Sequence, residues 1–255
     1  MKYTNLDQIL TGKARNHLIA LPNPISVNHY LQAEVVTAFL GLQHAAKRAD
    51  FNLQPASTYR DFNRQMLIWN AKFNGKRKIH NDASKQIDIT TLTDLAKIKA
   101  ILRWSAVPGA SRHHWGTEID IFDPDLLPQG QHLQLEPWEY QSNGYFAPLI
   151  KWLHQHSASF GFYFPFDGIQ NSQVGEEPWH LSYRPIASQY EKIFTKTMLQ
   201  TAWQNEPLAG KNCLLNHFSE LFSQLTMLQT AWQNEPLAGK NCLLNHFSEL
   251  FSQLK

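Results

Sequence analysis

The chain has 255 residues, 43% of them hydrophobic and 17% charged, with a formal net charge of +2. That length suits one sizeable domain, and so balanced a charge gives no electrostatic case for nucleic acid or an anionic membrane as partner. No run of about twenty apolar residues marks a membrane span, and Met1 to Asp7 lack the apolar core of a secretory signal, so the chain as written is expected in the cytoplasm.

In chain order, Ser26 is placed to cap a helix whose apolar positions Leu31, Val35, Val36, Phe39, Leu40 and Leu42 recur at helical spacing. Residues 51–59 then read as a strand and residues 61–73 as a second helix. The basic run Gly75-Lys76-Arg77-Lys78 follows Asn74 and is most simply a solvated loop, with a place beside a binding site as the lesser alternative. Leu92, Leu95, Ile98, Ile101 and Leu102 give a third helix before a turn at Pro108-Gly109.

In residues 116–122, Thr117, Ile119 and Ile121 alternate with Glu118, Asp120 and Phe122, the period of a strand with one apolar face. Residues 123–144, with three prolines and two glycines, form a loop long enough to suggest a functional wall. Phe146, Leu149, Ile150 and Leu153 restore a helical period until Gly161, and Phe162 to Phe164 and Trp179 to Tyr183 supply further strands. Helices flanking a small antiparallel sheet make an α+β domain over residues 1–196.

Residues 197–225 recur without change as residues 226–254. A solenoid needs at least three repeats, which normally diverge, so two identical copies read as a recent tandem duplication or an engineered one. Leu214, Leu215, Phe218, Leu221, Phe222 and Leu225 form an amphipathic helix, with Leu243, Leu244, Phe247, Leu250, Phe251 and Leu254 as its twin. Two identical apolar faces compete for one groove, so the displaced copy packs on the first, stays exposed or pairs with another molecule. With no Gly or Pro between Asn212 and Glu235, one long helix is able to span the junction. Cys213 and Cys242 are the same residue twice, which argues against a disulfide framework and is compatible with a reducing compartment.

Two stretches carry chemistry: Ser111-Arg112-His113-His114-Trp115-Gly116-Thr117-Glu118-Ile119-Asp120 and Glu177-Pro178-Trp179-His180. Together they supply two imidazoles and a carboxylate for one metal, and a second carboxylate three residues before the last imidazole, where it can activate water. Catalytic zinc usually takes three His, Asp or Glu ligands and keeps a fourth position open. Gly116 permits the sharp turn that folds His113 back towards Asp120, and Pro178 keeps Glu177 extended or in a turn. His114 competes with His113, and since adjacent residues in an extended segment face opposite ways, only one of them can ligate. Glu118 is expected to reach the metal only through a one-residue slip of its strand, and Glu176 competes with Glu177. His29, His80, His132, His154 and His156 lie in no such pattern and read as ordinary hydrogen-bonded histidines.

The pattern Ser-x-His-x-x-Gly-x-x-x-Asp followed by Glu-x-Trp-His resembles the D-alanyl-D-alanine carboxypeptidase family of the vancomycin-resistance type, within the wider group of lysostaphin-like and hedgehog-like zinc peptidases. The resemblance runs from about residue 30 to residue 185 and implies that His113, Asp120 and His180 bind Zn2+ and that Glu177 is the catalytic base. Ser57-Thr58-Tyr59-Arg60, with Gln65, looks like the family's Ser-x-Tyr-Arg segment, whose arginine meets the substrate. Arg60 suits that task, because a guanidinium offers a carboxylate two parallel donors. Gln65 and Ser111 complete the expected substrate contacts, with Ser111 alternatively shaping the turn before His113. One departure stands out: the family usually has Ala where this chain has Glu118.

The implied activity is zinc-dependent removal of a terminal D-alanine from a peptidoglycan-derived peptide. Its rivals are an L,D-carboxypeptidase, a stem-peptide endopeptidase, and a zinc-stabilised module that binds wall peptides without cutting them. Glu177 argues against the last, since a structural zinc site normally closes all four positions and needs no base. Wall peptides lie outside the cytoplasmic membrane, so periplasmic or extracellular action stays open beside the cytoplasmic expectation.

Overall fold

The computed structural model describes residues 4–22, 28–167 and 174–222. Ser26 and the second repeat copy lie outside the described residues. Helix α1 (Asn5–Leu10) opens on a capping box between Thr4 and Asp7. Strands β1 (Ile19–Ala20) and β2 (Tyr30–Leu31) form a short antiparallel ribbon. The helix expected from its apolar period follows as α2 (Ala33–Arg48), burying Val35, Val36, Phe39 and Leu42. Leu31 belongs to β2 and not to that helix, which starts after Gln32.

The chain continues through β3 (Gln54–Ser57) and α3 (Phe62–Phe73), whose first turn is capped by the Asp61 carboxylate accepting from the Arg64 N–H. Helix α4 (Asp94–Leu102) is capped in the same way by Thr93. A 3-10 turn, Arg112–Trp115, ends at Gly116 with φ +69° and leads into β4 (Glu118–Phe122). A Cβ at Gly116 would stand 2.3 Å from Leu18, so both the backbone angle and the space require glycine there. The expected long loop contains a short helix, α5 (Pro137–Tyr140). Then come α6 (Ala147–His156), β5 (Phe162–Tyr163), β6 (His180–Tyr183) and α7 (Arg184–Ile193). The first repeat copy supplies most of α8 (Lys196–Ala202), and all of α9 (Lys211–Asn216) and α10 (Phe218–Leu221). The single amphipathic helix expected there is broken at His217, between α9 and α10.

The main sheet has the order β3-β4-β6-β5 and every pair is antiparallel. Helices around a small antiparallel sheet are the expected α+β architecture. Alternation along β4 and β6 divides the sheet into two unlike faces. Ile119, Ile121, Leu181 and Tyr183 join one apolar core with α2 and α6. Glu118, Asp120, His180 and Ser182 share the other face, from which Asp120 and His180 reach a cavity. Beyond it lies a second apolar core, in which Phe62, Trp69, Ile98 and Val107 pack with Leu199, Trp203, Leu214 and Phe218. Among the described residues no helix is long and apolar enough to cross a membrane.

The first repeat copy is thus part of a core. Leu199, Trp203, Leu208, Leu214, Phe218, Leu221 and Phe222 are all buried, and the Trp203 indole donates to the Pro108 carbonyl at 2.7 Å. At about 1.5–3 kcal/mol for each fully buried apolar side chain, their loss rivals the whole stability of a domain, about 5–15 kcal/mol. A chain ending at Lys196 should therefore fail to fold, whereas one ending at Leu225 should melt cooperatively near the temperature of the full chain. We further expect the full chain to self-associate through the surplus copy; equal masses for both chains by light scattering would remove that pairing.

Candidate active site

The cavity has a volume of about 770 Å3 and is lined by Arg60, Lys72, Ser111, His113, Asp120, Glu177 and His180, with Gln134, Leu135, Glu136 and Pro137 from the long loop as one wall. That loop therefore occupies the position expected of it. The exposed run Lys76, Arg77 and Lys78 also borders the cavity, the lesser of its two readings.

Three elements bring the metal-type residues together. Strands β4 and β6 pair with Asp120 opposite His180, so the two side chains emerge side by side on the cavity face. The 3-10 turn supplies His113, whose Nε2 lies 3.2 Å from Asp120 Oδ2. His180 Nδ1 lies 3.0 Å from Asp120 Oδ1, and the two rings meet edge to face with centroids 4.9 Å apart. One ligand-type atom from each of His113, Asp120 and His180 lies within 4.8 Å of the other two, and all three residues are buried. His113 Nδ1 donates to the Thr58 carbonyl at 2.7 Å, which leaves Nε2 as the free lone pair facing Asp120. Two imidazole nitrogens and a carboxylate oxygen brought this close, with His113 held from behind by the Thr58 carbonyl, fit a divalent metal of the zinc class.

The electrostatics follow from burial and proximity. Burial lowers the His113 pKa despite Asp120 beside it. Burial alone would lower His180 too, but hydrogen bonds to Asp120 and Glu118 carry it up to about 9. Asp120 is held far below the usual carboxylate range by His113 and His180, against the opposing effect of burial. Burial lifts the Glu177 carboxyl to about 7, with Asp120 adding to the rise and His180 and Arg60 opposing it. Glu177 Oε2 stands 3.6 Å from His180 Nδ1. Its competitor Glu176 is exposed and does not line the cavity.

Arg60 stands on the same wall as Asp120, with Nη2 3.9 Å from Oδ2. Its guanidinium donates to Gln65 Oε1 at 2.9 Å and to Ser57 Oγ at 3.2 Å. The expectation for Gln65 changes here. It is fully buried, does not line the cavity, and spends its other amide group on the Ala106 carbonyl at 2.6 Å. Gln65 is placed to fix Arg60 and not to touch a ligand. Ser111 lines the cavity and is buried just before His113.

His114 turns away from the His113, Asp120 and His180 cluster, but not by the alternation expected of an extended segment, since both histidines lie in the 3-10 turn Arg112–Trp115. Its Nδ1 donates to the Arg60 carbonyl at 2.6 Å and its Nε2 accepts from the Gly109 N–H at 3.0 Å. Burial pushes its pKa down to about 3, in keeping with a neutral ring. The Arg60 N–H in turn donates to the His113 carbonyl at 3.1 Å, so Arg60 and the turn that carries His113 are tied through backbone.

Glu118 corrects another expectation. Two residues apart on one strand, Glu118 and Asp120 share a face without any slip, and Glu118 Oε2 lies 2.7 Å from His180 Nε2. The signal was available in the alternation of β4. Lys72 was missed altogether, although it lies seven residues after Gln65 on α3, two turns along the same helical face. Its amino group donates to Ser105 Oγ at 2.7 Å, and burial, with Arg77 nearby, lowers its pKa to about 8.

Residues 28–186 match the family model for VanY, D-alanyl-D-alanine carboxypeptidase. A protein of Haemophilus influenzae without an assigned role is 50% identical over 119 residues, which cover 46% of this chain and 91% of that relative. A D-alanyl-D-alanine carboxypeptidase of Enterococcus faecalis is 30% identical over 82 residues, 31% of this chain and 25% of that protein. Among solved structures, VanYB in complex with D-alanine-D-alanine is similar with 23% identity and a TM-score of 0.47, covering 76% of this chain and 92% of that one. The LdcB LD-carboxypeptidase is similar with 19% identity and a TM-score of 0.49, covering 82% and 86%. Since the family match takes in more than half of the chain and every cavity residue from Arg60 to His180, the chain belongs to the VanY family of D-alanyl-D-alanine carboxypeptidases.

Proposed function

We propose that the protein is a zinc-dependent carboxypeptidase that removes a terminal D-alanine from peptidoglycan-type peptides. The observation that carries this reading is the pairing, in one cavity, of a base candidate beside the metal cluster, Glu177, with a guanidinium, Arg60, on the same side as Asp120. His113 Nε2, Asp120 and His180 Nδ1 are the atoms that would hold the zinc. Zinc, when bound, supplies Lewis acidity that polarises a carbonyl and makes water easier to deprotonate. Glu177 takes the proton from the attacking water and passes it to the departing amine. Arg60, braced by Gln65 and Ser57, receives the terminal carboxylate and sets which carbonyl lies at the metal. Ser111 lines the approach to the same point as a substrate contact.

The test is to incubate zinc-loaded protein with peptides that differ only at the terminus and to weigh the products. D-alanine released from a D-alanyl-D-alanine end supports the reading; a cut after an L-residue or within the stem would give the L,D-carboxypeptidase or endopeptidase instead. A clamp built for a charged group rejects an analogue without it by on the order of 10⁴-fold, so amidating the terminal carboxylate should nearly abolish cleavage. Equal cleavage of acid and amide would remove Arg60 from the role.

A further inference from the structure

Glu118 is a fully buried carboxylate that neither the ligand set nor the base accounts for. A carboxylate with no exposure at all is costly unless its oxygens are filled, and here they are. Oε1 accepts from Ser182 Oγ and Thr117 Oγ1, both at 2.8 Å. Oε2 accepts from His180 Nε2 at 2.7 Å and from Arg112 Nε at 3.2 Å. Arg112 is itself held by Glu191, Tyr163 and Ser182.

We propose that Glu118 is a positioning residue for the metal centre, fixing the His180 imidazole so that Nδ1 faces the metal; this rests on the reading that His113, Asp120 and His180 bind one. The β4–β6 register pairs Glu118 with Ser182 and Asp120 with His180, so the imidazole lies between two carboxylates of one strand. An ionised carboxylate only accepts hydrogen bonds, and Arg112 keeps Glu118 ionised by direct contact. His180 Nε2 must then carry a proton whenever the ring is neutral, which leaves the lone pair on Nδ1, beside Asp120. A carboxylate behind a ligating histidine sets its tautomer and orientation and increases its donor strength, and removal of such a partner typically costs 10–100-fold in metal affinity. The competing account is that Glu118 merely neutralises Arg112 and supports the fold.

Three variants separate the two accounts: Glu118→Ala, the isosteric Glu118→Gln, and Leu153→Ala, which weakens the apolar core on the opposite face of the sheet. Zinc affinity is measured by chelator competition, thermal stability by unfolding, and the His180 ring by nitrogen-15 NMR with and without zinc. Glu118→Ala should bind zinc 10–100-fold more weakly and lose the protected Nε2–H resonance of His180, whereas Glu118→Gln, whose amide oxygen still accepts, should lose less affinity and keep that resonance. Leu153→Ala should lower the melting temperature and leave zinc affinity unchanged. Wild-type affinity in both folded Glu118 variants, or an equal loss in Leu153→Ala, would overturn the proposal. If the wild type shows the protected Nε2–H but takes up no zinc, the metal reading fails while the placement of the ring by Glu118 stands.

Discussion

Glu177→Ala should retain its metal and lose roughly a hundredfold or more in turnover, the usual scale for a positioned proton-transfer group. Glu177 touches His180 only at 3.6 Å, so its removal leaves the His113, Asp120 and His180 contacts intact. Glu176→Ala, one residue away but exposed, should stay close to wild type. The pair is informative because both changes remove one carboxylate from the same short segment and differ only in access to the cavity. Steady-state hydrolysis with metal content measured on the same samples decides it. Near-normal hydrolysis by Glu177→Ala would assign the proton transfer elsewhere or favour a binding module.

His113→Ala and Asp120→Ala should each empty the metal site. A three-ligand centre that loses one donor keeps only two, and Asp120 is also the shared neighbour of both imidazoles and the nearest anion to Arg60. His114→Ala should keep the metal ligands in place and instead weaken the fold. Its ring fills a buried position, closes against Gly12 so tightly that a Cβ there would meet it at 2.3 Å, and satisfies the Gly109 N–H. A buried donor left without a partner costs about 1–3 kcal/mol, and the space vacated adds to that, so a loss of about 2–4 kcal/mol is expected. Elemental analysis and denaturant unfolding separate the outcomes. Full metal occupancy in His113→Ala would end the ligand assignment.

The parts of this molecule that were legible in sequence are those where a period or a cap acts over a whole element. Residues 61–73 read as a helix and form α3 (Phe62–Phe73), and the alternation in residues 116–122 gave β4 its apolar face. Two-residue strands such as β1, β2 and β5 are too short for any period, which is why Leu31 reads as helical until its pairing with Ile19 is known. The convergence of His113, Asp120, His180 and Glu177 on one cavity was legible because a local motif places them. Gln65 and Glu118 were misjudged because their roles depend on what stands behind a neighbour: the Ala106 carbonyl behind Gln65, and the imidazole of a distant strand beside Glu118. The break at His217 carries no glycine or proline to announce it. There the chain turns because Phe218 and Phe222 both reach Trp203, at ring distances of 5.7 and 6.0 Å.

The bond from the Trp203 indole to the Pro108 carbonyl has a consequence in time. Translation delivers the residues from Ser57 to His180 before the segment that supports the turn leading to His113. At roughly 5–20 residues per second, a ribosome that has just added His180 needs roughly two to eight seconds more to reach Phe222. Throughout that interval the metal-binding motif is complete in composition while the wall behind its approach is missing. The first repeat therefore closes this wall only after the cavity residues from Arg60 to His180 have been made, and a chain abandoned before it carries those residues without the Trp203 bond to the Pro108 carbonyl.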